Sequence, residues 1–569
     1  MRPTLFLATF VAALALAGPA SAGNPFGVTL VRFDSSATPA QMRSSVQAAG
    51  GVVVADLSPI HALAVVPRAA SFDARMASSR SVDSFFQDSF LAANHRDDHH
   101  GGGRGNDGPG DWRGGNDFLA DPWHGLFQWD DDRMDVPAAW RKTTGDRSIA
   151  VAVLDTGVDT NNRELQGAVD HRLGGNFIPC DDLKQLFGLG FIDRHGLRDC
   201  RDGDFEGHGT WVASRIAGAM NDFASNGVAP GVKIGSYKVL AAGLGGLSSW
   251  ILSGLVDACS DPRIDVVNMS IEGYMNPDDP FDAQDYLLFT EAVDYCLSRG
   301  IPVFAAAGNE HVRVDRVSLD LDGEQLDDVG QVSASPEGIG TVLPGSDSVF
   351  DTDLRGWLPV PGGVPGVTMV SATANAIGAA PAWVPQRWRS HVGARDQLAY
   401  YSNYGSRVDI SAPGGARKYQ IPAYDGGDGD LLAGTWGSFG VLTRNGLTCS
   451  DPVTSDFSNA ACFNFRGDTF GWLQGTSMST PNVAGVAALV LSARPDLRGR
   501  PEALVRRLET TASRSPVNFM GPNDADSTMP ALDGTPCDTG FCHVDQHDPI
   551  AFGDAYGAGL VDAAAAIRR

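Results

Sequence analysis

Four residues of this chain have the types and settings that nucleophilic acyl chemistry needs: Asp155, His208, Asn309 and Ser477. A serine hydroxyl attacks poorly until a base takes its proton. An imidazole is such a base, and a carboxylate behind it holds the tautomer and offsets the charge it gains. The tetrahedral intermediate also requires hydrogen-bond donors, which the Asn309 amide and the Ser477 backbone N–H at a helix start would supply. The order Asp, His, Ser is one of several unrelated chain orders known for this triad. A serine esterase or lipase of the α/β-hydrolase type, the competing enzyme reading, predicts Gly-x-Ser-x-Gly. Gly475-Thr476-Ser477-Met478-Ser479 breaks that pattern, and the histidine precedes the serine.

Each residue has a recognisable local frame. Val151-Ala152-Val153-Leu154 is a β-run that delivers Asp155 before Gly157, and Gly207-His208-Gly209-Thr210 opens an apolar helix. Ala305-Ala306-Ala307 leads into Gly308-Asn309, and Gly475 precedes Ser477 at a helix start with Pro481 in the first turn, where its missing N–H costs nothing. Further strands are expected at Ile149 to Leu154, Val232 to Val239, Val266 to Met269, Ile301 to Ala307 and Val367 to Ser371. Helices are expected at Thr210 to Ala219, Ser249 to Ala258 and Leu287 to Ser298. Buried β-runs alternating with helices define an α/β class: a doubly wound parallel sheet flanked by helices, with functional groups at the strands' carboxyl ends.

The chain has 569 residues, 43% apolar and 20% charged, which excludes wholesale disorder and fibrous architectures. Its formal charge is 43 − 68 = −25, so phosphate backbones and anionic lipid surfaces would be repelled. No nucleic-acid or membrane partner is expected, and the chain is read as a monomer. Residues 1–22 combine Arg2, the apolar run Leu5 to Ala17 and Ala20-Ser21-Ala22, the pattern of a secretory signal peptide. The longest later apolar run, Val483 to Ala493, is too short to span a bilayer. Eight cysteines without a C-x-x-C in an exported chain imply disulfides. Neighbour pairing is expected: Cys180 with Cys200, Cys259 with Cys296, Cys449 with Cys462 and Cys537 with Cys542.

Residues 23–93 read as a small, charge-neutral α+β domain: strands at Phe26 to Phe33, Val52 to Ala55 and Leu63 to Val66, and helices at Pro39 to Ala49 and Ala70 to Ser79. Residues 94–120 form a Gly/Asp/His-rich linker, whose His95, His99 and His100 read as part of a solvated tether. The main domain is placed at 121–569, with insertions at about 310–366 and 416–474.

These blocks resemble the signatures of the subtilisin-like serine proteases, the subtilases. Supporting blocks include Gly227-Val228-Ala229-Pro230, Val267-Asn268-Met269-Ser270-Ile271, Ser402-Asn403-Tyr404-Gly405, Ala412-Pro413-Gly414 and Gly557-Ala558-Gly559-Leu560-Val561-Asp562-Ala563. The resemblance implies a triad of Asp155, His208 and Ser477, an oxyanion hole with Asn309, and protein or peptide substrates bound as an extended strand. It implies substrate-binding segments that include Leu244, Gly245 and Gly246 on one side and Ser270, Ile271, Glu272 and Gly273 on the other. Glu272 stands where small residues are usual, so it either favours a basic substrate side chain or points to solvent. Trp211 replaces a customary second histidine, for which altered packing is expected. The 23–93 domain becomes a propeptide that aids folding, blocks the cleft and is removed by self-cleavage between about residues 90 and 125. No cofactor is needed for catalysis. A structural calcium ion is implied, with Glu164 and Asn221 on ligand positions, and oxygen ligands suit such a hard cation. A catalytically silent, protein-binding relative would be expected to have lost Asp155, His208, Ser477 or Asn309, and none is missing.

Overall fold

Thr38 Oγ1 accepts a hydrogen bond from the Gln41 N–H while Gln41 Oε1 accepts one from the Thr38 N–H, and Pro39 follows. This cap starts α1 (Pro39–Ala49), and Gly50, at φ 88°, ends it. The computed structural model describes residues 27–91, 128–181, 203–241, 245–334, 353–375, 395–399, 401–415, 438–443, 462–514 and 550–568. In the N-terminal unit, β1 (Thr29–Phe33), β2 (Gly51–Leu57), β3 (Ala62–Pro67) and β4 (Val82–Gln87) make an antiparallel sheet ordered β2-β3-β1-β4. A second helix, α2 (Phe72–Ala77), joins α1 on one face, where Val31, Phe33, Met42, Val46 and Phe72 pack together. The unit ends in a short strand, β5 (Phe90–Leu91). Both β4 and β5 are absent from the sequence expectation, because Val82 to Gln87 alternates too weakly and a two-residue strand has no periodicity.

The main body is built on an eight-stranded sheet. Its strands are β6 (Ala150–Asp155), β7 (Val169–Asn176), β8 (Lys233–Lys238), β10 (Val266–Met269), β12 (Val303–Ala306), β16 (Thr368–Asn375), β17 (Arg395–Leu398) and β18 (Ile410–Pro413). The order is β17-β16-β12-β10-β6-β8-β7, with β18 also on β16. All pairs are parallel except β16 with β17. The strand period sorts side chains onto the two faces. In β6, Ala150, Ala152 and Leu154 join one core with α4 (Ser248–Ser260) and α5 (Pro280–Ser298). Val151 and Val153 join the other with α3 (His208–Ala217), α6 (Thr476–Ala493) and α7 (Pro501–Thr511). The apolar run Val483 to Ala493 is therefore the interior of α6, and among the described residues no helix is long and apolar enough to cross a membrane.

The free face of the N-terminal sheet, with Leu30, Ala62, Ala64 and Phe86, merges into the α4/α5 core. Arg32 pairs with Glu291 and donates to Gln284 Oε1 at 3.1 Å, and Ser84 donates to the same oxygen at 2.8 Å. Past β4, Asp88 accepts from Ser249 N–H (3.1 Å) and Ser249 Oγ, capping α4, and β5 pairs antiparallel with β9 (Gly246–Leu247).

The first insertion is a hairpin, β13 (Arg313–Leu321) with β14 (Glu324–Ala334). It is followed by β15 (Leu358–Val360), which pairs with β11 (Gly273–Met275). The second contributes a three-stranded sheet of β19 (Ser438–Leu442), β21 (Asp468–Leu473) and β20 (Cys462–Phe465). Cys259 and Cys296, near the carboxyl ends of α4 and α5, are disulfide-bonded as expected. Cys180 is also disulfide-bonded. The expected partners Cys200, Cys449, Cys537 and Cys542, the linker 94–120, the histidines 95, 99 and 100, and residues 1–22 lie outside the described residues.

Candidate active site

Asp155 closes β6 and is wholly buried. By strand parity its side chain shares the α3 face with Val151 and Val153. His208 begins α3, 3% exposed, and its Nδ1 lies 2.7 Å from Asp155 Oδ1. Gly209 permits this approach: a Cβ there would lie 2.1 Å from the Gly157 carbonyl oxygen. The turn before α3 is organised by buried Asp204, which the motif reading missed. Its Oδ1 accepts from Thr156 Oγ1 (3.0 Å), Glu206 N–H (2.9 Å) and Gly207 N–H (2.8 Å), and its Oδ2 from Thr210 N–H (2.9 Å) and Thr210 Oγ1 (2.6 Å). Thr156 Oγ1 in turn accepts from Gly209 N–H at 3.0 Å. Asp204 and Thr156 thus lock the histidine helix to the aspartate strand. The Asp-x-x-Gly spacing to Gly207 was the available signal.

The serine half is assembled across the sheet. Gly475 takes φ 152° and ψ 159°, a region that suits glycine, and turns the chain into α6. Its N–H donates to Tyr401 Oη at 2.9 Å, and that hydroxyl reaches the Gly415 carbonyl at 2.6 Å. Ser477 Oγ donates to the Ser270 carbonyl at 3.2 Å, and Ser270 Oγ donates to the Ser477 carbonyl at 2.8 Å. Asn309 Oδ1 accepts from Thr476 N–H (2.8 Å) and Thr476 Oγ1 (3.1 Å), which seats the asparagine against the serine turn. Asn309 Nδ2 donates to Glu272 Oε1 at 2.8 Å.

The register of the two central strands joins these halves. Leu154 of β6 pairs with Met269 of β10 in parallel, so the next residues, Asp155 and Ser270, stand on adjacent strand ends. Asp155 holds His208, Ser270 holds the Ser477 turn, and α3 packs on α6.

Glu272 does not point to solvent. It is 6% exposed and turned toward Asn309, which corrects the solvent alternative. Glu310 follows Asn309; its Oε2 accepts from Asn309 N–H (2.9 Å) and from Tyr274 Oη, while Asn403 Nδ2 donates to Tyr274 Oη at 2.6 Å. Burial first, then the Glu310 and Glu272 carboxylates, push the Tyr274 phenol well above its ordinary range. Of the other expected substrate-binding residues, Gly245 and Gly246 adjoin and form β9, and Gly246 pairs with Leu91. A Cβ on Gly273 would sit 2.7 Å from Leu91 Cδ2, so the chain end of the N-terminal unit touches both segments. Ile271 is buried in the α4/α5 core, and Leu244 lies outside the described residues. Trp211 is fully buried, and its Nε1 donates to the Gly471 carbonyl (3.3 Å) beside Gly440, which ties α3 to the second insertion.

The expected calcium ligands are neighbours: Ala219 N–H donates to the Glu164 carbonyl, and Asn221 Nδ2 donates to the Arg163 carbonyl at 3.3 Å. Glu164 suits a hard cation, being a wholly buried carboxylate with Oε1 on Ser225 N–H at 2.8 Å. Asn221 is exposed and its Oδ1 accepts from Phe223 N–H at 3.0 Å. The described residues contain no group of three His, Cys, Asp or Glu side chains able to hold a metal, so an ion beside Glu164 would take its other oxygens from backbone and water.

A parallel sheet with an Asp–His pair and a serine turn on adjoining strand ends defines a class of α/β proteins with a hydrolase-like site. The chain belongs to the subtilase family, whose model matches residues 146–540. It is 31% identical to the major intracellular serine protease of Bacillus subtilis (strain 168) over 206 residues, covering 36% of this chain and 56% of that protein. It is 26% identical to subtilisin NAT of Bacillus subtilis subsp. natto over 382 residues, covering 67% of this chain and 65% of the relative. The chain thus spans less than two thirds of the length of these curated relatives. The fold is shared with the epidermin leader peptide processing serine protease of Staphylococcus aureus, at TM-score 0.59, 17% identity, and 95% and 97% coverage of the two chains. It is shared also with fervidolysin of Fervidobacterium pennivorans, at TM-score 0.56 and 19% identity, covering 95% of this chain and 60% of that one.

Replacing Asp204 by Ala strands several buried donors. Equilibrium unfolding in denaturant is expected to show a loss of about 3 kcal/mol. A loss under about 1 kcal/mol would remove Asp204 as the organiser of the histidine turn.

Proposed function

We propose that the protein is a secreted serine endopeptidase, made as a self-processing zymogen, that cleaves peptide bonds through an acyl-enzyme on Ser477. The observation that carries this reading is the Asp155–His208 bond of 2.7 Å beside the strand end whose Ser270 holds the Ser477 turn. The Ser477 Oγ bond to Ser270, at 3.2 Å, is long for a hydroxyl donor, so the side chain can rotate toward the imidazole at small cost. His208 then takes the hydroxyl proton as Oγ attacks the substrate carbonyl, and Asp155 offsets the imidazolium charge. The Ser477 N–H and Asn309 Nδ2 receive the oxyanion. The C–N bond breaks as His208 returns its proton to the leaving amine, and water then releases the acyl group.

The zymogen reading draws on β5. An extended segment adding to an exposed strand edge is a general mode of peptide recognition, and Phe90–Leu91 lies on β9 in that way, with Leu91 against Gly273. Residues 23–93 are then a propeptide and intramolecular inhibitor, with removal within the following linker. Mass spectrometry of expressed wild type and Ser477→Ala is expected to find the N-terminal unit removed only from the former. Unaided removal in Ser477→Ala would overturn self-processing.

Release should respond to pH. Asp88 of the N-terminal unit is buried in the same contact as Asp282 and Asp285 of α5, and Ser89 Oγ donates to Asp282 at 3.3 Å. Burial raises all three acids: Asp88 well above the carboxylate range, Asp282 to about 6 and Asp285 to about 7. The charged groups facing them are Asp279 on α5 and, farther along the contact, the Arg32–Glu291 pair. A raised acid binds its proton more tightly when docked. Docking is therefore strongest below the ordinary value near 4 and is lost as pH rises through 6 to 7. A chain nicked in its linker should keep the N-terminal unit through gel filtration at pH 5 and release it at pH 8; equal retention would refute this.

We also propose a structural calcium ion at the loop held by Glu164. A chelator is expected to lower the thermal midpoint by several degrees, about the effect of 1–2 kcal/mol. An unchanged midpoint would exclude the ion.

A further inference from the structure

The proposed oxyanion donor is already engaged. Asn309 Nδ2 donates to Glu272 Oε1 at 2.8 Å, and Glu272 is 94% buried, as its 6% exposure requires. The other side of the asparagine is held by Thr476, so Nδ2 is fixed in place and Glu272 is the partner that must yield. A carboxylate there opposes acyl transfer twice: it occupies the donor, and its charge repels the oxyanion developing beside it.

We propose that Glu272 is a charge gate on the oxyanion hole, opened by a cationic substrate side chain. The inference rests on the serine-endopeptidase reading above. Glu272 lies on the segment Ser270 to Gly273, between Ser270 on the serine turn and Gly273 against Leu91, where an extended substrate would run. A guanidinium or ammonium group bound beside this segment offers the carboxylate a charge-assisted partner stronger than a neutral amide. The carboxylate then leaves Nδ2, its charge is compensated, and the oxyanion finds a free donor. Glu310, on Tyr274 Oη and Asn309 N–H, adds a second negative charge to the same wall. The neighbouring residue of the docked N-terminal unit is neutral Leu91, and with it in place Glu272 remains on Asn309. Selection would then appear in turnover as well as in binding, because the cation assembles the site that performs the chemistry.

The test uses the mature enzyme and peptide substrates that differ only at the residue before the cleaved bond: arginine, citrulline (the same shape without the charge) and phenylalanine. Wild type is expected to turn over the arginine peptide with a kcat about 10²-fold above that of the citrulline peptide, the lower end of the 10²–10³ range that loss of one oxyanion donor produces. Glu272→Gly should erase the difference by raising kcat on the citrulline and phenylalanine peptides. Glu272→Gln should narrow it, and thermal melting of both variants checks that the fold is kept. An arginine advantage confined to KM, or an unchanged kcat of Glu272→Gly on citrulline, would overturn the gate. Labelling by a fluorophosphonate distinguishes the two levels. Glu272→Gly labelled at Ser477 while wild type shows no charge-dependent kcat refutes the gate alone, whereas Glu272→Gly that resists labelling, with no carboxylate left on its oxyanion donor, refutes the serine-endopeptidase reading beneath it.

Discussion

The parallel register between β6 and β10 is the constraint on which the rest depends. With Leu154 opposite Met269, Asp155 and Ser270 come out on neighbouring strand ends, roughly 5 Å apart at ordinary strand spacing. Strand parity sends Asp155 to the face covered by α3 and α6, and Ser270 reaches the same α6 through its bond to the Ser477 carbonyl. A slip of one residue would send Asp155 to the opposite face and separate the histidine from the serine turn. The hydrophobic alternation of Val151 and Val153 against Ala152 and Leu154 is thus what aims the chemistry.

Around that register the site is held by neutral hydrogen bonds and two buried acids, Asp155 behind the imidazole and Asp204 at the turn before it. Asp204 and Thr156 fasten the histidine helix; Tyr401 and Thr476 fasten the serine turn and the asparagine. Carboxylates gather on the other side, with Glu272 and Glu310 at Asn309, and Asp88, Asp282 and Asp285 under the N-terminal unit. Glu272, Asp88, Asp282 and Asp285 are buried, where a charge is costly, and such groups make a site responsive to protons or cations. The acidity of the whole chain therefore has local expression where the N-terminal unit docks and where a substrate side chain would arrive.

The two insertions are not surface decoration alone. The hairpin β13–β14 sends Asp322 to Gln284 on α5 and Glu324 to within 3.5 Å of Arg32, so its tip meets the N-terminal unit. The β19–β21–β20 sheet packs under Trp211 and brings Ser438 to Asp130, part of a buried cluster in which Arg215 pairs with Asp131 at 2.7 Å. Trp211 thus has a packing role in this chain, anchoring the inserted sheet to the histidine helix.

The order and local frames of Asp155, His208, Asn309 and Ser477, the α/β class and the small N-terminal α+β unit were all determined by the residues themselves. These follow from short-range patterns: alternation, capping, glycine turns and apolar periods. The pairing of Cys259 with Cys296 was legible too, because both sit at the ends of successive crossover helices. Tertiary structure alone decided what depends on contacts between distant segments. It brought Glu272 onto Asn309 instead of into solvent, set β5 on β9, and gathered Asp88 with Asp282 and Asp285. No local period encodes those meetings. They are fixed by strand register and by which face each helix covers, and only the folded chain specifies both.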